Sequence, residues 1–234
     1  MIRHAAPADA GDVVKLVHQS FRPEDLALTI YGCAGMPEYL RREFAVPFSR
    51  SLYLVAEIDH AIAGFIELRE GPSLNYIAID KAHRSHGLGR QLLFTALREA
   101  EGDRLTLDVF EHNTAALAWY RRLGFQPCGR TGLWRVPSTD SAAAPLRISG
   151  MPQADIVHRA FGFSNFTLGA FSVGRLGDRW FMVTDPGLLA TPGALRALAT
   201  LDPGREILFR GAVPPISCEP LLWSLRMTHS LPLC

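Results

Sequence analysis

One stretch limits the folds open to this chain more than any other. From Leu74 to Ala100 an apolar strand passes through a turn holding Arg84, Gly87 and Gly89 straight into a helix. Residues 74–79 (L-N-Y-I-A-I) alternate and then fill with β-branched side chains, as a mostly buried strand does. From Gln91 to Ala100, Leu92, Leu93, Ala96, Leu97 and Ala100 share one helical stripe, and Gly102 is placed to end it. A turn that opens a helix leaves its first N–H groups without partners at the positive end of the helix dipole. Two glycines remove Cβ atoms where an anion would approach the main chain, and Arg84 adds a positive charge. The expected guest is a phosphate or pyrophosphate.

Two common phosphate loops fail on these residues. A P-loop needs Lys-Ser or Lys-Thr after its last glycine, and Arg90-Gln91 follows Gly89; a dinucleotide fingerprint needs a small residue where Leu92 stands. What remains is R-x-x-G-x-G at 84–89. Downstream, L-T-L-D-V-F-E-H-N-T-A-A-L-A-W-Y-R-R-L-G-F (105–125) reads as strand, turn and helix. Asn113, Ala116 and Tyr120 stand at i, i+3 and i+7 on one helical face. Ala116 keeps that face low, Asn113 caps the helix while facing an amide-rich ligand, and Tyr120 carries a phenol to the same side. Gly124-Phe125 is a helix stop of Schellman type.

Together the two blocks resemble the signature motifs of the GNAT superfamily of N-acetyltransferases. The resemblance implies an α+β fold, an αβα sandwich whose mixed, mainly antiparallel sheet is flanked by helices. It also implies acetyl-CoA as acetyl donor, with no metal. The main chain of Ile77, Ala78 and Ile79 would hold the pantetheine arm, and Arg84, Ser85, His86, Gly87, Leu88, Gly89 and Arg90 the pyrophosphate. Asn113, Ala116 and Tyr120 would complete the cofactor site. The reaction implied is direct attack of a primary amine of a small molecule or peptide on the thioester, with Tyr120 as general acid. A phenol near pKa 10 is close enough to a thiol near 8.5 for that work. The base is Glu67, Asp108 or Glu111 by strand position, Glu67 first because the third strand borders the acceptor cleft in this fold. The alternative function is a non-catalytic acyl-CoA-binding or sensing module.

The rest of the chain fits around this centre. Ile2 to His4 reads as a first strand, followed by a helix with Asp9 as cap. Residues 21–48 are irregular, and their aromatics Phe21, Tyr31, Tyr39, Phe44 and Phe48 are candidate acceptor contacts. Ser51 to Ile58 and Ala61 to Arg69 form a hairpin at Asp59-His60, and Gln126 to Val136 supplies closing strands. The expected organisation is an acetyltransferase domain over 1–136, a linker over 137–145, and a smaller α+β extension over 146–234 that packs, dimerises or closes the pocket. That extension predicts a helix from 154 to 161, a hairpin over 171–184, a helix capped by Thr191-Pro192 and strands at 206–210 and 221–227. No second R-x-x-G-x-G occurs in it, so one catalytic site is expected.

A net charge of +1 makes no electrostatic case for nucleic acid or an anionic membrane. Cys33, Cys128, Cys218 and Cys234 are scattered without a C-x-x-C pair, and no metal-ligand spacing occurs among the histidines. No leader and no long apolar run is present, so a cytoplasmic protein is expected, with a homodimer as the expected assembly if the extension dimerises.

Overall fold

The computed structural model describes residues 1–46, 51–100, 104–137, 146–214 and 216–230. Phe48, Gly102, Cys234 and all of the expected linker except Pro137 lie outside them.

Most early elements form from local signals. β1 (Ile2–His4) leads to α1 (Ala10–Ser20), which buries Val13, Val14, Leu16 and Val17. Asp9 precedes α1 but does not cap it. Its carboxylate is taken by Arg3 at 2.6 and 3.0 Å and by the Ala6 N–H at 2.7 Å. After α2 (Pro23–Leu26) and α3 (Met36–Phe44), β2 (Ser51–Ile58) and β3 (Ala61–Arg69) make the expected hairpin. Asp59 and His60 take φ of 49° and 63°, the left-handed pair that a two-residue turn requires. β4 (Ser73–Ile79), α4 (Leu88–Glu99), β5 (Arg104–Phe110) and α5 (Thr114–Arg122) follow.

The 126–136 segment departs from expectation. It is one strand, β6 (Gln126–Val136), with no turn inside it. Gly132 makes room in it: a Cβ there would lie 2.5 Å from the Trp134 ring. The strand expected beside it comes from the end of the chain, β12 (Glu219–Ser230), which pairs with both β5 and β6. Between them run β7 (Ile148–Ser149), α6 (Met151–Phe161), β8 (Phe163–Leu168), β9 (Phe171–Leu176), β10 (Trp180–Val183), α7 (Pro186–Ala190), α8 (Ala194–Leu201) and β11 (Glu206–Gly211). Thr191-Pro192 sits one residue short of capping α8, whose N-cap is Gly193.

Among the described residues all strands join one mixed sheet, in the order β1-β2-β3-β4-β5-β12-β6-β11-β10-β9-β8-β7. Read from either end it is a meander, a parallel neighbour, and then one of the two central strands. Only β4–β5 and β10–β11 are parallel; the other pairs are antiparallel. Helices flank it: α4 and α5 cover Leu54, Ile66, Leu107 and Val109, while α1 and α3 cover Val55, Phe65 and Ala78 on the opposite face. The second half has its own core around Phe166, Phe181, Leu195 and Ile207. No described helix is long and apolar enough to cross a membrane.

The two parallel pairs differ in a way that positions the site. β4 meets β5 only at Ser73–Thr106 and Leu74–Leu107. A bulge then leaves Asn75 without an opposite residue on β3, and such bulges bend a strand and increase its twist. Beyond Leu74 the β5 side of β4 therefore has no strand partner. By contrast, every residue of β10 pairs with β11, from Trp180–Glu206 to Val183–Phe209.

Candidate active site

The gap between β4 and β5 is the mouth of a cavity of about 1080 Å³. Of the residues expected at a cofactor, Ile77, Ala78, Ile79, Arg84, Ser85, Gly87, Leu88, Gly89, Arg90, Asn113, Ala116 and Tyr120 all line it. His86 belongs to the same turn but its side chain does not reach the cavity.

At one end of the cavity a single 3₁₀ turn over Lys81–His83, capped by Asp80 through the Ala82 N–H at 2.9 Å, leads into the loop. Ser85 and Gly87 adopt left-handed backbone, φ 66° and 82°, and Gly87 is the N-cap of α4. No acceptor among the described residues meets the backbone N–H groups of Ser85 to Arg90. These N–H groups lie at the positive end of a twelve-residue helix, and all but that of His86 belong to residues lining the cavity. Arg84 braces the turn, giving its Nε–H to the Ile79 carbonyl at 2.9 Å.

Across the gap, α5 is capped as its residues require. The Asn113 side chain accepts from the Ala116 N–H at 3.1 Å, and the Phe125 N–H returns to the Tyr120 carbonyl at 3.0 Å past Gly124, φ 91°. This stop fixes Tyr120, which packs edge-on to Phe125 with ring centroids 5.5 Å apart. Only 7% of Tyr120 is exposed, and its hydroxyl has no hydrogen-bond partner among the described residues. Burial alone pushes its phenol above the ordinary value of 10.0, so it stays protonated at neutral pH. Trp119 lies beside it, 3.4 Å from where a Cβ on Gly89 would stand.

Glu67 occupies a different place. It is 3% exposed, on the α1–α3 face of β3, in an adjoining cavity of about 570 Å³ with Tyr39, Tyr53 and Arg69. Its Oε1 accepts from Asn75 Nδ2 at 2.6 Å and Arg69 Nε at 3.2 Å, and its Oε2 from the Tyr31 hydroxyl at 3.1 Å. Burial raises its pKa, and Arg69 and these hydrogen bonds only partly offset that. Of the other carboxylates, Asp108 lines the main cavity bound to Arg226 at 2.9 and 3.1 Å, whereas Glu111 is engaged by Arg130 outside it. The aromatics of 21–46 divide similarly: Phe21 lines the main cavity, and Tyr39 the second.

Several lining residues carry no local signal in the sequence. Met182, Arg210, Leu222 and Arg226 come from β10, β11 and β12, so the second half forms one wall of the cavity. α2 is fastened over it through Asp25, whose carboxylate takes His112 Nε2 at 3.0 Å and Arg22 at 2.9 Å. Only the placement of β12 between β5 and β6 brings these groups here, and single-sequence periodicity does not encode it.

Comparison with known proteins gives the family of the chain. The model of the acetyltransferase (GNAT) family matches residues 20–125. The chain is 36% identical over 124 residues to the N-alpha-acetyltransferase RimI of Mycobacterium tuberculosis, covering 50% of this chain and 77% of that protein. It is 38% identical over 68 residues to the peptidyl-lysine N-acetyltransferase YjaB of Salmonella typhimurium, covering 29% of this chain and 45% of that one. A tandem GNAT protein from the clavulanic acid biosynthesis pathway superposes over 98% of both chains with a TM-score of 0.70 at 15% identity, a likeness of fold. The chain belongs to the GNAT acetyltransferase family, as an N-acetyltransferase.

Proposed function

We propose that this protein transfers an acetyl group from acetyl-CoA to a primary amine by direct attack within the β4–β5 gap. The observation that carries the reading is the combination, in one cavity, of the unpaired N–H groups of Ser85 and of residues 87–90 with an unpaired β4 edge. The first suits a pyrophosphate, as helix N-termini do; the second suits an amide-rich arm that adds to a sheet edge. Acetyl-CoA supplies an acyl thioester open to an amine. Gly87, with nothing within 4 Å of the position its Cβ would take, keeps the approach to the loop open.

In this reading residues 1–136 carry the chemistry and residues 146–234 wall the acceptor side. Alignment of the amine across the gap supplies most of the rate. Tyr120 donates a proton to the departing sulfur; burial holds the phenol in its protonated form and at the same time makes it a weaker acid than an exposed tyrosine. Glu67 takes the proton from the acceptor ammonium. Its raised pKa makes it a stronger base than an ordinary carboxylate, and Arg69, which lines both cavities, marks where they adjoin.

Calorimetric titration with acetyl-CoA tests the reading, on wild type and on a Gly87→Glu, Gly89→Glu double variant. Micromolar binding lost in the variant supports a pyrophosphate at this turn. Absence of binding in the wild type refutes the reading.

A further inference from the structure

We infer that the acceptor amine also bears a single carboxylate, seated by Arg210 and Arg69 on the face of the sheet opposite Tyr120. This rests on the acetyltransferase reading and adds the acceptor's class to it.

The faces of the strands locate the group. Leu107 and Val109 of β5 lie under α4 and α5, in the core that holds Tyr120. Alternation turns Asp108 and Phe110 to the other face, where Tyr76 of β4 packs toward α1. The cavity passes between these faces, since Tyr120, Tyr76, Asp108 and Arg210 all line it. A donor entering past α4 and α5 therefore meets an acceptor held on the Tyr76 side. The anion loop at 85–90 lies beyond the opposite end of β4 from Arg69, so this second positive region is separate from it.

The charges on the acceptor side do not balance. Arg226 occupies Asp108 with two hydrogen bonds, at 2.9 and 3.1 Å. The carboxylate oxygen nearest Arg210 is Asp108 Oδ2, at 3.8 Å, and Arg226 already holds it. Arg69 uses only its Nε, on a Glu67 oxygen that it shares with Asn75. In the main cavity Arg69, Arg210 and Arg226 thus lie beside one carboxylate, Asp108, while Glu67, Glu43 and Glu70 line the adjoining cavity with Arg69. Among the described residues, no other acceptor meets Arg210 or the terminal nitrogens of Arg69. Both arginines line the main cavity together with Tyr76. They therefore address one region. Two guanidinium groups whose terminal nitrogens hold no hydrogen bond among the described residues fit one planar carboxylate. A dianion would be repelled by Asp108.

The test is thiol release from acetyl-CoA with the common L-amino acids and β-alanine, each against its own carboxamide, and with O-phosphoethanolamine. Acid and amide offer the same amine and differ in the charge alone. The expected result is a best acid at least about tenfold above its amide in kcat/KM, a ratio that one charge-assisted contact sustains. Arg210→Gln should bring that ratio near one through KM while leaving the acetyl-CoA dissociation constant unchanged; Arg210→Lys should restore part of it. Amides equal to acids in the wild type, or no turnover of any acid despite tight acetyl-CoA binding, overturns the inference and leaves cofactor binding standing. Preference for O-phosphoethanolamine overturns the single-charge assignment. Absence of acetyl-CoA binding removes the acetyltransferase reading and the inference together.

Discussion

Replacing Tyr120 by Phe separates catalysis from stability in a way few substitutions can. The hydroxyl has no hydrogen-bond partner among the described residues, and its ring keeps its contacts with Phe125 and Trp119 when the oxygen is gone. No buried donor or acceptor is orphaned by the change, so the stability effect should stay under about 1 kcal/mol. The catalytic effect should be far larger. A positioned general acid contributes roughly 10² to 10⁴ in rate, equivalent to about 2.7 to 5.4 kcal/mol of barrier. The assay is thiol release at saturating acetyl-CoA, beside a thermal melt and a calorimetric titration of the same preparation. A fall in kcat of at least about a hundredfold, with the melt and the acetyl-CoA affinity preserved, is the expected result. Turnover within about threefold of wild type would remove Tyr120 from the mechanism, because no loss of fold or binding would be available to explain a small effect.

Other perturbations address separate parts of the molecule. Burial raises the Glu67 pKa in the fold, so its contribution to stability is fully present below the ordinary value of 4.5 and is lost as pH rises through the folded value. Glu67→Gln removes that dependence; melting temperatures measured against pH should show the variant gaining on wild type as pH rises through this window, and the acidic limb of its pH–rate profile should disappear. His60→Gly relieves a left-handed residue, φ 63°, at an exposed turn and should stabilise the protein by about 1 kcal/mol in urea melts. Ending the chain at residue 213 removes β12, leaving β5 and β6 with open edges and the core without Met227, which is fully buried. Loss of a cooperative melt and aggregation on expression are expected; a well-folded truncate would show that β12 is dispensable.

What the sequence made legible was local. The 84–89 turn, the Asn113 cap and the Gly124 stop each depend on a few neighbouring residues whose backbone demands are specific, and the structure forms all three. The Asp59-His60 hairpin is legible for the same reason. The 126–136 segment is one strand rather than several, and Gly132 in it leaves room for the Trp134 ring. β8 was missed because its alternation, with Ser164, Phe166 and Leu168 buried, is short and follows directly on α6. The convergence of Arg69, Arg210 and Arg226 had no signal at all. These residues lie on three strands far apart in the chain, and only the position of β12 places them along one cavity.

The two similar halves of the sheet differ at their parallel strand pairs. A cleft between parallel strands needs the pair to diverge and the following helix to start with free donors. β4 diverges at its bulge, and the donors of 85–90 are unclaimed. β10 stays paired with β11 to its end, and α7 begins at Pro186, which has no N–H, with the Asp185 side chain occupying the Gly187 N–H at 2.8 Å. The second half is therefore shut where the first is open. In exchange its last strand completes the first half's sheet, while β6 pairs with β11 in return. The halves cannot part without breaking these ladders, so the wall carrying Arg210 and Arg226 is held in fixed register against β5. Such a wall can hold an acceptor's charge at a constant distance from the gap, as catalysis by alignment requires.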